Sequence, residues 1–303
     1  MNVVSVVVCT RDRPDSLVRT VRSLLASAGV DFELLVIDQS DGPESAEALA
    51  ACFSDSRLRY VHSRARGKGA ALNEGLRLAC GDIVATTDDD CEVPPDWAAG
   101  MARALEAQPT AAIVFCNVAA GPHNPAAGYI PAFEQRRSRL LRSIRASRGQ
   151  LGLGAGMAVR RAVVLALGGV DESFGPGARF GSGDDWDLAH RLLLSGWHVY
   201  ETAHLSIVHY GFRTFAEGSD HARRDWIAIG ALCAKPLRAR HFDAVVVPLW
   251  YFSVLALWPP VRDLLRRRRP SGLSRIVGFS SGFLQGLRTP VDRKTLVYRP
   301  AAR

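Results

Sequence analysis

The chain carries few of the signatures that would settle its chemistry at once. Its six cysteines (Cys9, Cys52, Cys80, Cys91, Cys116 and Cys233) form no C-x-x-C pair, and several lie in apolar, strand-like runs. That argues against a zinc site or a disulfide framework and suits a reducing compartment. No P-loop and no G-x-S-x-G elbow occurs. Gly152, Gly154 and Gly156 lack the strand before and helix after that a dinucleotide loop requires, so that cofactor is rejected. There is no internal repeat and no low-complexity tract. The opening MNVVSVVVCTRDR has neither a charged leader nor a cleavage site and reads as a first core strand. The apolar run Ala244 to Trp258, broken only by Ser253, is shorter than the roughly 20 residues that cross a bilayer.

What is present is an ordinary globular composition: 303 residues, 48% hydrophobic and 22% charged. The net charge of +8 favours acidic partners such as phosphates, nucleotides, anionic lipid or nucleic acid. Strand-like and helix-like segments alternate. VVSVVVC, FELLVID, LRYVH, DIVATT and AAIVFC read as strands; the stretch after Pro14, GKGAALNEGLRLACG and PPDWAAGMARALEA read as helices, the last starting at proline. This predicts an α/β fold with a mostly parallel central sheet and helices on both faces. FEQRRSRLLRSIRASR reads as a very basic helix. The arrangement implies residues 1–219 as the main domain, divided at 121/122, and 220–303 as a basic, apolar helical region.

Ligands of parallel sheets bind outside the carboxyl ends of strands. Asp38 and the Asp88–Asp90 group both fall there. Strand alternation would aim Asp88 and Asp90 together and Asp89 elsewhere. Two converging carboxylates suit Mg2+ or Mn2+; a solvated turn with capping aspartates is the alternative. Without a metal and the diphosphate it carries, the cluster is expected to lack compensation for its charge. A second cluster, Asp184, Asp185 and Asp187, opens a helix after a glycine-rich loop. It reads either as helix N-terminal capping or as a general base beside a mobile loop. His209 ends a short apolar run as a structural histidine or a ligand.

Five segments, in order, resemble the family 2 glycosyltransferases of the GT-A fold: SVVVCTRDRPDSLVRTVRSLL, FELLVIDQSDG, RGKGAALNEGLRLACGDIVATTDDDCEVPPDW, GAGMAVRRAVVLALGGVDESFG and SGDDWDLAHRLLLSGWHVY with IVHYG. The resemblance implies that Cys9, Thr10 and Arg11 border the nucleotide base and that Asp38 contacts it. Gln39 replaces the usual Asp or Asn, which leaves the base open. Lys68 lies near the nucleotide, while Leu72 stands where arginine is common and receives no phosphate contact. Asp88 and Asp90 match the D-x-D motif: Asp90 binds Mn2+ or Mg2+ with Asp88 and His209, and Asp88 also faces the ribose or sugar. Asp89, Asp184 and Trp186 join the substrate-binding set, and Asp185 resembles the catalytic base. The activity that the resemblance implies is inverting hexosyl or deoxyhexosyl transfer from a nucleoside-diphosphate sugar to a saccharide or lipid-linked acceptor. The setting implied is cell-envelope or exopolysaccharide synthesis in the cytoplasm, at the inner face of the membrane. A silent nucleotide-sugar binder is an alternative. A sugar-phosphate nucleotidyltransferase needs a glycine-rich loop after the first strand, which CTRDRPDS lacks. No nucleic-acid-binding motif occurs.

Residues 243–269 carry interface-favouring Trp250, Tyr251 and Trp258 and then Arg266 to Arg269. They read as an in-plane membrane helix or as a helix buried on the main domain.

Overall fold

The computed structural model describes residues 3–149 and 151–299. The first half follows the alternation read from the sequence: β1 (Val4–Thr10), α1 (Pro14–Leu25), β2 (Phe32–Asp38), α2 (Glu44–Cys52), β3 (Leu58–His62), α3 (Lys68–Leu78), β4 (Ile83–Asp88), β5 (Cys91–Glu92), α4 (Trp97–Glu106) and β6 (Ala111–Ala120). Proline at the first position of α1 suits a helix start, where its missing N–H has no partner to lose. Helix α4 opens at Trp97 rather than at Pro94.

Next come β7 (Gly128–Tyr129), β8 (Arg139–Leu141), β9 (Met157–Arg160), α5 (Arg161–Ala166), α6 (Asp184–Leu194), β10 (His198–His209) and β11 (Arg213–Thr214). The basic stretch read as a helix is instead β8 followed by a short 3-10 turn. Pairing Arg139–Leu141 with β10 lets Arg139 reach the buried carboxylate of Glu201. Strand addition thus satisfies a charge that a solvated helix would leave buried and alone.

The main sheet runs β3-β2-β1-β4-β9-β6-β10-β5, with β8 also on β10. Strands β1 to β4 pair in parallel; β9 enters antiparallel between β4 and β6, and β10 runs parallel to β6. Alternation along β1 divides the core. Val4, Val6 and Val8 face α1 and α4, and Val7 faces the other side, with α3 and α6. Each buried valine or leucine contributes roughly 1.5–3 kcal/mol.

The C-terminal region continues that second core. It comprises α7 (Phe215–Arg238), α8 (Val246–Trp250), a π-helical stretch Tyr251–Leu257, α9 (Trp258–Leu265) and α10 (Leu273–Arg288). Ala231, Leu232, Tyr251, Phe279 and Tyr298 share one cluster with Val7 and Leu192. Helices α7 and α10 approach closely: a Cβ at Gly282 would lie 1.9 Å from the Ile227 carbonyl oxygen, so only glycine fits. Among the described residues, no helix is long and apolar enough to cross a membrane.

A buried charge cluster fastens this region down. Lys235 of α7 is 2% exposed and donates to Asp171 Oδ2 at 2.6 Å and to Asp187 Oδ1. Asp187 also accepts from Arg191 Nε at 2.8 Å, and Asp171 from the Tyr298 N–H at 2.8 Å. Burial alone would raise the Asp171 carboxyl, but Lys235 and the hydrogen bonds outweigh it and hold it below the usual range. Replacing Lys235 by methionine leaves two carboxylates buried with less compensation and is expected to destabilise the fold by about 3–5 kcal/mol, read from denaturant unfolding.

Candidate active site

The carboxyl ends of β1, β2 and β4 meet at one rim because these strands are parallel and in register: Thr10 pairs with Asp38, and Cys9 with Asp88. Strand β4 stops at Asp88, and Asp89 and Asp90 form a turn. The alternation expected to aim Asp89 elsewhere therefore does not apply. Asp88, Asp89 and Asp90 all line one cleft of about 490 Å3.

Nor is the cluster uncompensated, as the sequence led us to expect. Arg13, at the start of α1, reaches Asp89 Oδ1 at 3.2 Å and Asp90 Oδ2 at 3.0 Å with one guanidinium nitrogen. Thr10 Oγ1 donates to Asp89 Oδ2 at 2.7 Å, and Lys68 Nζ donates to Asp88. Burial still pushes the Asp89 carboxyl up to about 6, against the pull of Arg13 and Thr10. For Lys68, burial opposes the charge, but Asp88 and Asp184 outweigh it and raise the ammonium pKa well above its ordinary value.

The short pairing of β5 with β10 sets Cys91 opposite His209 and so brings His209 beside Asp90. His209 Nδ1 lies 2.9 Å from the Pro131 carbonyl oxygen, which assigns that nitrogen the proton and turns the Nε2 lone pair toward Asp90. Nε2 is 3.3 Å from Asp90 Oδ1, and that oxygen is buried without a hydrogen-bond donor. Two lone pairs thus face each other and call for a proton or a metal ion. Burial disfavours the imidazolium, but Asp90 outweighs it and raises the His209 pKa. Gly211 keeps the adjoining space open, since a Cβ there would lie 2.5 Å from Nε2 and 2.8 Å from Asp90 Oδ2. A hard carboxylate, an imidazole lone pair and a gap that a methyl group would fill are a donor set that fits Mn2+ or Mg2+. Cys91 adjoins this pair, but burial raises its thiol far above neutrality.

Asp184 and Asp185 open α6 outside the lining of the cleft. The loop 174–183 adjoins Asp184, since a Cβ at Gly175 would lie 3.0 Å from its carboxyl carbon. Its Pro176 carbonyl accepts the Lys68 N–H at 3.0 Å, and Pro176 and Gly177 form part of the cleft wall. Gly175, Gly177, Gly181 and Gly183 all have positive φ, which their neighbours' side chains could not adopt cheaply. Asp185 Oδ2 accepts the Gly154 N–H at 2.6 Å, and Oδ1 accepts the Trp186 N–H at 2.7 Å. Burial and the neighbouring Asp184 nevertheless push the Asp185 carboxyl up to about 7. Asp184 is buried and likewise raised, chiefly by burial. The Trp186 indole donates to the Gly152 carbonyl at 3.3 Å and packs on Tyr251; it braces the segment that holds Asp185.

The other expected residues divide. Thr10, Arg11, Gln39 and Lys68 line the cleft. Arg11 sits at its outer edge, 3.7 Å from Asp41. Gln39 donates to the Ala65 and Gly67 carbonyls at 2.8 and 3.2 Å, and so fixes the loop leading into Lys68. Asp38 is fully buried and does not reach the cleft: Ser40 and Tyr60 occupy its oxygens. Sequence reasoning passed over Arg13, although its place just past the first strand beside an acidic rim was a usable signal. It also missed Asn73, which pins Val170 and Glu172 at the root of the glycine-rich loop. Phe212, just before β11, and Glu217 and His221 of α7 complete the cleft, and nothing in their local sequence marks them.

The fold agrees with similarity to known proteins. A stretch of 94 residues is 37% identical to a succinoglycan biosynthesis protein of Rhizobium meliloti and covers 31% of this chain and 27% of that one. Another of 115 residues is 32% identical to a glucosyl-dolichyl phosphate glucuronosyltransferase of Haloferax volcanii and covers 37% and 36%. The matches thus span about a quarter to a third of these curated relatives. The fold matches that of a mannosyltransferase of Pyrobaculum calidifontis solved with GDP-Man and Mn2+, with a TM-score of 0.62 at 19% identity over 94% of this chain and 87% of that one. The family model for glycosyl transferase family 2 matches residues 5–166. The chain belongs to that family, on a GT-A-type sheet.

Proposed function

We propose that this protein moves a hexosyl or deoxyhexosyl group, with inversion, from a nucleoside-diphosphate sugar to an acceptor hydroxyl. The acceptor class is a saccharide or lipid-linked sugar of cell-envelope or exopolysaccharide synthesis, met at the inner face of the membrane. The observation that carries this reading is the facing pair of Asp90 Oδ1 and His209 Nε2 beside the Gly211 gap, at the rim where a nucleotide would lie. The names of the matched relatives support the substrate classes.

Asp90 and His209, with Asp88 nearby, would hold Mn2+ or Mg2+, which supplies positive charge to the departing diphosphate. Thr10, Arg11 and Gln39 border the nucleotide. Lys68 and Arg13 carry fixed positive charge into the same cleft, where it stabilises the phosphates in place. Asp38 acts from beneath, by holding the Ser40 turn. Asp185 is not among the residues that line the cleft, so joining it to the cleft calls for movement of the nearby glycine-rich loop 174–183. The bond between the anomeric carbon and the diphosphate oxygen breaks as the acceptor oxygen attacks from the opposite face. The acceptor's proton passes to Asp185, and the electron pair of the broken bond leaves with the diphosphate. Two backbone N–H groups orient Asp185 for this, and Asp184 and Trp186 shape the acceptor side. A pKa near 7 matches the base to a neutral medium.

Asp185→Asn is expected to lower kcat about 10²–10⁴-fold with donor binding retained; wild-type turnover would remove Asp185 from the base role. Because Asp185 must be ionised to accept a proton, kcat/KM should fall as pH drops below about 7 and level off above it. A flat profile there, in a pH series of initial rates, contradicts the assignment. Asp90→Ala should abolish Mn2+-dependent binding of a nucleoside diphosphate, as read by calorimetry.

A further inference from the structure

The C-terminal helices bury one face against the core and leave the other bare. Along the run from α8 to α9, Leu249, Leu257, Trp258 and Leu265 are 60%, 40%, 51% and 73% exposed. Helix α10 shows Leu273 and Val277, one turn apart, at 53% and 69%. The two stretches are neighbours: Phe252 packs on Phe279 with ring centroids 5.4 Å apart, and Arg275 Nη1 donates to the Leu255 carbonyl at 3.3 Å. Large apolar side chains exposed on two helical stretches that pack on each other are uncommon in a protein that meets only water.

Arg266 to Arg269 stand at the tip of this hairpin. The tip is a built turn. Asp263 is buried, and its carboxylate accepts the Ser271 N–H at 3.0 Å and the Ser271 hydroxyl; its carbonyl accepts the Arg268 N–H at 2.8 Å. All four arginines are exposed, and among the described residues none pairs with a carboxylate. Exposed Arg142, Arg145 and Arg148 adjoin the base of the hairpin, where the Tyr251 hydroxyl donates to the Gly149 carbonyl at 2.8 Å.

We infer that this hairpin is a docking surface for an anionic lipid bilayer. Leu257, Trp258, Leu265, Leu273 and Val277 enter the headgroup boundary, and the Arg266–Arg269 turn lies on lipid phosphates. Apolar side chains and a cluster of unpaired arginines on adjoining helices match the two attractions such a surface offers. A second copy of the chain fits less well, because a self-complementary contact would have to offer the arginines carboxylates from the same patch, and the one beside them, Asp263, is buried and held by Ser271.

The packing also fixes where the cleft lies. Helices α7 and α10 run parallel: Gly278 abuts Trp226, Gly282 abuts Ile227, and Gly286 abuts Ala234. The start of α10 and the arginine turn are therefore level with the first turns of α7, where Glu217 and His221 line the cleft. Docking by the hairpin sets the cleft beside the bilayer, within reach of an acceptor anchored there. That last step rests on the glycosyltransferase reading; the docking does not, and it is measured without turnover.

The test is flotation of the full chain with phosphatidylcholine vesicles, with and without phosphatidylglycerol. Binding is expected only with phosphatidylglycerol, weaker at high salt, and about thirtyfold weaker in the Arg266→Gln/Arg268→Gln variant. Brominated lipid should quench tryptophan fluorescence in the wild type and less in Trp258→Phe, which keeps the apolar bulk and the fold. Absence of binding at low salt, or equal binding by wild type and the arginine variant, overturns the proposal. So does a dimer in sedimentation velocity that Trp258→Glu dissociates while vesicles are ignored, since that gives the face to a second copy.

Discussion

Three carboxylates gathered at the end of β4 are the constraint around which the rest of the site is arranged. Adjacent like charges in a half-buried turn cannot stand alone, and the fold answers each with a different group. Lys68, from the start of α3, takes Asp88; Arg13, from the start of α1, spans Asp89 and Asp90; His209, from the end of β10, faces Asp90. Among the described residues, Asp90 Oδ1 is the one buried oxygen of the three carboxylates that has no donor. The structure therefore concentrates its electrostatic demand on a single oxygen, beside a gap kept open by a glycine. A site for a cation needs such a residue of unmet charge, and the surrounding pairs keep that residue local.

The same economy of position governs the second acidic cluster. Asp184, Asp185 and Asp187 occupy one helix turn but meet three environments. Asp187 is neutralised by Lys235 and Arg191, Asp184 lies in the field of Lys68, and Asp185, on which Lys68 acts less, has among the described residues only backbone N–H groups as hydrogen-bond donors. The member with the least compensation by positive charge is the one proposed as the base. Neighbouring residues of one type thus come to differ by what each touches.

Much of this was legible in the sequence, and for definite reasons. Strands β1, β2, β4 and β6 were readable because burial on both faces leaves continuous apolar runs, and the rim followed from their parallel pairing. The acidic clusters and His209 were readable because they end such runs. Arg139–Leu141 was misread because its strand exists only through pairing with β10, and a buried glutamate sixty positions away is invisible to local pattern. Arg13 was missed because an arginine in a turn looks solvated until the turn is folded against Asp89. Phe212, Glu217 and His221 enter the cleft through the course of β11 and α7, a tertiary fact. The split of the C-terminal helices into a buried and a bare face likewise needed the packing of α10 on α7.

The lysine clamp changes what the last quarter of the chain can be taken for. Lys235 reaches both Asp171, at the root of the glycine-rich loop, and Asp187, on the helix that carries Asp185. The C-terminal helices are thereby fastened to that loop and that helix. A chimaera that grafts another protein's tail onto this chain inherits two buried carboxylates, and it keeps its loop and Asp185 in register only if the graft brings a cation to the same depth.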